Sequence, residues 1–200
     1  MKKYSITNQR GSFSMKKILF FSLSLLIVSS SNLLSAEQMV VKEQRIEKTT
    51  SMRADLKEIS HDFNALFPGP YSLSETEVET IRDKKVPQLM SNGEVLNSSE
   101  KVAEFATKHD VHVAVLVKQG DDYTIVASNL KKSNDMSVNG LKLDHETSAY
   151  KNLSSDLGFH GKISLWGKEY TAKVDPLKNK KGKIVGALLV ALPVAGETVK

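Results

Sequence analysis

The chain of 200 residues contains no cysteine. That excludes disulfides, thiol nucleophiles and thiolate metal sites, so stability has to come from packing. Acidic residues are missing before Glu37, while Lys2, Lys3, Arg10, Lys16 and Lys17 supply five positive charges there. Those five account for the whole formal net charge of +5, and the remainder of the chain is neutral. A neutral remainder has no electrostatic case for a phosphate-backbone partner, so no nucleic acid is expected. The cluster Lys178, Lys180, Lys181 and Lys183 surrounds Gly182 and reads as a solvated hairpin turn. The apolar run Ile18 to Val28 falls short of the roughly 20 residues that cross a bilayer core. It follows Met15-Lys16-Lys17 and precedes small polar residues, the order of a signal peptide, with a cleavage site at Leu34-Ser35-Ala36. No Cys follows it, which excludes lipoprotein processing. Leu34 is larger than the ideal residue there, so an uncleaved tether is the less favoured reading. Met1 to Ser14 is polar and aperiodic, and Met15 reads as an alternative start.

Catalytic signatures are missing too. There is no Gly-x-Ser-x-Gly elbow, no His-Glu-x-x-His and no phosphate loop. The histidines at His61, His109, His112, His145 and His160 stand in no ligand pattern. His109 and His112 lie where a helix end runs into a strand, which gives no regular metal-binding face. Asp121 and Asp122 read as solvated turn residues. The expectation is therefore a domain that is not an enzyme and uses no metal or cofactor, located in the periplasm or secreted.

From Gln38 to Leu66 there is neither Pro nor Gly, and Thr49, Met52, Leu56, Ile59, Phe63 and Leu66 recur in steps of three and four. This spacing predicts a long amphipathic helix over 37–66, ended by Phe67-Pro68-Gly69-Pro70. Two uses of its stripe are open: covering the domain's own sheet, or pairing with a second copy through Met52, Leu56 and Ile59 to make a homodimer. Val78 to Ile81 predicts a short strand, Val86 to Leu89 an edge segment tolerant of Pro87, and Ser98 or Ser99 the cap of a short helix through Lys108. Strands are predicted at Val111 to Lys118, Tyr123 to Ser128, Phe159 to Trp166, Tyr170 to Leu177 and Lys183 to Pro193. Short connections join them into three antiparallel hairpins. The last strand is nearly continuous apolar, as suits a central strand covered on both faces. Asn129 to Gly158 interrupts the series as a long excursion with a short helix near Glu146 to Leu153, and a loop of that length is usually functional.

Val86-Pro87-Gln88-Leu89 with Gly93, then Gly120-Asp121-Asp122-Tyr123 leading to Ala127-Ser128-Asn129-Leu130, resembles the bacterial extracytoplasmic Cache domains. So do Gly167-Lys168-Glu169-Tyr170, Asp175-Pro176-Leu177 and Gly182 to Ala187, in order. The resemblance, to a single Cache domain of the Cache 3/Cache 2 fusion type, implies an α+β fold with a long N-terminal helix on a five-stranded antiparallel PAS-like sheet. The corresponding division is a signal peptide at 1–36, the helix at 37–66 and the sensor domain at 67–196. It also implies a small-molecule ligand held between the sheet and the excursion, and signal transduction such as chemotaxis through a membrane-bound kinase or chemoreceptor. Alternation puts Tyr123, Ile125 and Ala127 on one face, and Tyr170, Ala172 and Val174 on another. On the resemblance, Tyr123, Ile125, Tyr170 and Val174 line the ligand pocket, with Tyr150 and Trp166 as walls. Many relatives carry Arg at the position of Ile125 and a second Tyr at that of Val174, so a neutral or largely apolar ligand is expected here. A structural module with a collapsed pocket, acting by dimerisation, is the competing expectation.

Overall fold

The computed structural model describes residues 39–44, 55–82, 84–97 and 100–194. The chain divides into two units, Met1–Glu43 and Gln44–Lys200. The expected signal peptide and residues 45–54 of the expected long helix lie outside the described residues. In the first unit the described residues are helical and expose Met39, Val40 and Val41.

In the second unit a helix over 55–65 (α1) is followed by strands Tyr71–Ile81 (β1), Lys84–Ser91 (β2) and Glu94–Val95 (β3). Helix Glu100–His109 (α2) leads to His112–Gln119 (β4) and Asp122–Ser128 (β5). After the excursion, which carries helix Ser148–Ser154 (α3), come Phe159–Leu165 (β6), Lys168–Lys178 (β7) and Ile184–Pro193 (β8). The last five strands form one antiparallel sheet in the order β5-β4-β8-β7-β6, the sheet expected from the resemblance. β8 is its middle strand, and its first eight residues are buried. Ladder partners on both edges and apolar cover on both faces require such a continuous apolar run.

The two faces of this sheet make two cores. On one side Val113, Val115 and Val117 of β4 and Leu188 and Val190 of β8 meet Leu56 and Phe63 of α1 and Val102 and Phe105 of α2. Fully burying a Leu or Phe side chain is worth about 1.5–3 kcal/mol, so these residues fix both helices to the sheet. Phe63 packs tilted on Phe105 at 4.9 Å and edge-on to Phe67 at 5.4 Å. On the other side Ala114 and Leu116 meet residues of the excursion.

Of the two uses left open for the stripe, covering the domain's own sheet is the one seen: Leu56 is fully buried in its core and Ile59 packs against it, while Met52 lies outside the described residues. Two expectations are corrected. β2 is the middle strand of a three-stranded sheet, not an edge. Pro87 is tolerated because β3 is two residues long and pairs only with Met90 and Ser91. The Asn97 amide stands in for the absent strand, donating to Pro87 O and accepting from Leu89 N at 2.9 Å. Finally, Ala127 joins the helix-side core, with Val126. Val115 pairs with Ala127 and Leu116 with Ile125, so Val126 is an inserted residue that reverses the alternation.

β2 crosses close over the main sheet at Gly186. A Cβ there would stand 2.4 Å from Leu116 O and 2.8 Å from Leu89 Cδ2. A backbone oxygen inside a sheet cannot retreat, so Gly186→Ala should destabilise the fold by about 1–3 kcal/mol, the usual cost of overpacking. Urea unfolding followed by circular dichroism checks this, and a midpoint equal to that of the wild type would contradict the close approach.

Candidate functional site

The excursion is a cover laid over one sheet face. It first adds to the edge of β5: Ile125 N donates to Leu141 O at 2.9 Å, Gly140 N to Ile125 O at 2.7 Å and Leu143 N to Tyr123 O at 2.8 Å. Gly140 holds a φ of 81°, a conformation that glycine adopts without steric cost. The chain then turns over the face, where Leu130, Val138, Leu143, Ala149 and Leu153 descend onto it. Thr147 caps α3, its hydroxyl accepting from Tyr150 N at 3.2 Å. At the excursion's start Asn129 is fixed to β4, accepting from Val113 N at 2.8 Å and donating to Val111 O at 3.0 Å.

Four of the six residues assigned to the ligand site meet beneath this cover. Tyr123, Ile125, Tyr170 and Val174 belong to one cluster, and none is more than 1% exposed. A water-sized space against any of them would leave it measurably exposed, so the face is filled by the protein's own side chains. Tyr150 and Trp166 are half-buried at its rim. Tyr150 stands edge-on to Tyr123 at 6.0 Å and donates to Asp121 O at 2.9 Å. Trp166 sits in the two-residue β6–β7 turn and packs against the edge of the same cluster. It borders an open cleft of about 560 Å³ with Asp144, Glu146, Lys162 and Ser164.

Among the described residues this face carries no lysine, arginine or carboxylate side chain. Its polar groups are tyrosyl hydroxyls, of which Tyr123 donates weakly to Leu153 O at 3.4 Å, and the His112 imidazole. The buried His112 Nδ1 has no hydrogen-bond partner among the described residues, and burial lowers the imidazole pKa. Burial, with the charges that Tyr150 and Asp156 carry when ionised, pushes the Tyr123 hydroxyl up to about 12. It is therefore a neutral donor throughout the ordinary pH range. Tyr170 meets the His112 ring edge-on at 5.5 Å. Among the described residues no group of three or more His, Asp or Glu side chains is placed to hold a metal ion.

The rim supplies a latch that sequence reasoning missed. Asp122, at the start of β5, ion-pairs with Lys142 of the excursion and meets His145 Nε2 at 2.9 Å. The His145 ring stacks on Tyr150 at 3.9 Å. Taken singly, Asp122 reads as a solvated turn residue and His145 stands in no ligand pattern. They lie 23 positions apart, and only the folded excursion brings them together. The five apolar residues that plug the face were likewise not singled out, although their spacing in an otherwise polar segment was visible.

Comparison with known proteins follows from this architecture. A family model described as the Cache 3/Cache 2 fusion domain matches residues 29–198. The chain belongs to this family of extracellular sensory domains, which are not enzymes. Neither the curated proteins nor the solved structures gave a significant match. Among the described residues no helix is long and apolar enough to cross a membrane.

Hydrogen bonds from Lys142 and His145 hold the Asp122 carboxyl below the usual range. A depressed folded-state value means that the latch stabilises above the unfolded carboxyl's pKa and is lost as pH falls through the folded one. Asp122→Asn should therefore raise amide exchange in residues 141–147 severalfold at pH 7, leaving β4 and β8 little changed. Acidification should do the same to the wild type. Equal exchange in both proteins at pH 7 would remove the latch from the account.

Proposed function

We propose that this domain is an exported sensor that binds a small neutral or largely apolar molecule beneath the excursion and signals through a separate membrane-bound partner, such as a kinase or chemoreceptor. The observation that carries the reading is the cover itself. A segment of some thirty residues, far longer than a usual connection, lies on one sheet face and is fastened at its rim by side chains. The face beneath supplies apolar area and tyrosyl hydroxyls, the lining of a small-molecule site. It offers a carboxylate no arginine for bidentate recognition, and burial lowers the pKa of the His112 imidazole beside Tyr170, which disfavours its cationic form. Binding requires the excursion to lift or its side chains to move aside. The ligand's affinity is then lowered by the cost of that opening.

The filled face also supports a second reading, a module that binds no small molecule and acts through protein contacts. The two readings differ in a thermal-shift screen. A ligand that binds only the folded state stabilises it by about 2.7 kcal/mol at a hundredfold excess over Kd. We expect a neutral, largely apolar compound to raise Tm by several degrees, and acetate, propionate, pyruvate and succinate to leave it unchanged. Calorimetry on the wild type then checks the hits. Tight binding of any of the four acids would overturn the assignment of ligand class. If no compound of any class shifts Tm, the interaction module is the better reading.

A further inference from the structure

β7 has two faces with different tasks. Tyr170, Ala172 and Val174 lie in the core beneath the excursion. Between and beyond them, Lys173 and Asp175 turn the other way, toward α1. The Asp175 carboxylate accepts from Ser60 Oγ at 2.7 Å and from Asn64 Nδ2 at 2.9 Å, and it ion-pairs with Lys173. Lys173 Nζ also reaches Ser60 Oγ at 3.3 Å. Ser60 and Asn64 are four residues apart and share one face of α1. Ser60 is 1% exposed, and the side chains of Lys173 and Asp175 are 22% and 24% exposed. This is a mostly enclosed polar cluster between a helix and a strand distant in sequence.

The remaining contacts of α1 with the sheet are apolar, through Leu56, Ile59 and Phe63. Apolar contact is non-directional, and it does not by itself select one axial position of a helix. Hydrogen bonds to a fixed carboxylate do, because they weaken steeply with distance and angle. We propose that Asp175 is the coupling residue of the domain: a carboxylate clamp that sets the register of α1 on β7 and passes displacements of the covered face to that helix. A change that repacks Tyr170, Ala172 and Val174 moves β7, and Asp175 moves with its strand. α1 either follows or loses the clamp. The inference rests on the covered face being the ligand site, but the clamp is testable without any ligand.

Among the described residues, those facing Asp175 include Lys173 from its own strand, Ser60 and Asn64 from α1, Leu188 across the ladder on β8 and, on the other side, Gly158 before β6. On β6, His160 stands opposite Lys173. Burial alone would raise the Asp175 carboxyl, but the bonds from Lys173, Ser60 and Asn64 outweigh it and hold the group below its ordinary value. The clamp is thus present at neutral pH and is released as pH falls through that lowered value.

Hydrogen exchange read by mass spectrometry, expressed as protection factors, tests the clamp on the full mature chain. In Asp175→Asn we expect protection of residues 55–65 to fall at least tenfold at pH 7, with β4 and β8 within threefold of the wild type. Val174→Ala, a change on the opposite face of β7, should lower α1 protection in the wild type and add nothing in the Asp175→Asn background, the signature of coupled positions. Acidification should loosen α1 ahead of the sheet in the wild type. That series, together with Ser60→Ala, gives the same readout should Asp175→Asn fail to fold. The proposal is overturned if α1 protection is unchanged, if α1 and the sheet lose protection by the same factor, or if Val174→Ala acts on α1 equally with and without Asp175. A protein that binds no ligand in the thermal-shift screen yet shows these couplings would refute the proposed function and keep the clamp.

Discussion

The placement of β8 in the middle of the sheet governs the rest of the structure. A central strand with eight successive buried residues requires apolar cover above and below, together with hydrogen-bonded neighbours on both edges. Two helices and the β1–β2 layer cover one face. Among the described residues no helix of comparable length lies on the other, and the excursion covers it. That explains why a segment that is polar over much of its length places Leu130, Val138, Leu143, Ala149 and Leu153 on the sheet. The same requirement explains Gly186, where cover from Leu89 approaches closer than any side chain at that position would permit.

The two covers differ in physical character. The helix side is a packed core with a polar cluster enclosed in it, at Ser60, Asn64, Lys173 and Asp175. The excursion side is mostly apolar within, with the Tyr123 hydroxyl and the His112 imidazole as polar groups, and its ion pairs lie at the rim, where Asp122 meets Lys142 and His145. Rim contacts between partly exposed groups are individually weak, whereas rearranging a close-packed core is costly. If either cover moves, it is the excursion. The chain belongs to the Cache 3/Cache 2 fusion family of sensory domains, and the proposed function would use this asymmetry, with the excursion side yielding and the helix side transmitting.

Much of this was legible in the sequence because periodicity is local. The β-branched runs, the three hairpins, the central last strand and the long excursion follow from residues read a few at a time. What escaped depends on distant partners. Alternation placed Ala127 beside Ile125, but the insertion at Val126 is visible only against β4. The stripe of α1 was equally suited to a sheet or to a second copy, and Leu56 was resolved by the sheet it meets. Asp122 and Asp175 looked like ordinary turn and strand residues until Lys142, His145, Ser60 and Asn64 arrived beside them. Among the six residues assigned to the site, the four that come together sit on regular strands, whose faces alternation predicts well. Tyr150 and Trp166, at the rim, depend on an excursion and a turn whose course alternation does not fix.

The central claim is that a small molecule enters between the excursion and the sheet, and methyl-resolved NMR tests it most directly. A neutral apolar compound that stabilises the protein is titrated while the methyl signals of Ile125, Val174 and Leu153 are followed against those of Val115 and Val190 on the helix side. The account predicts large, saturable shifts in the first group and intermolecular contacts between ligand protons and the Ile125 and Val174 methyls. Contacts confined to surface clefts, or equal shifts on both faces, would contradict it.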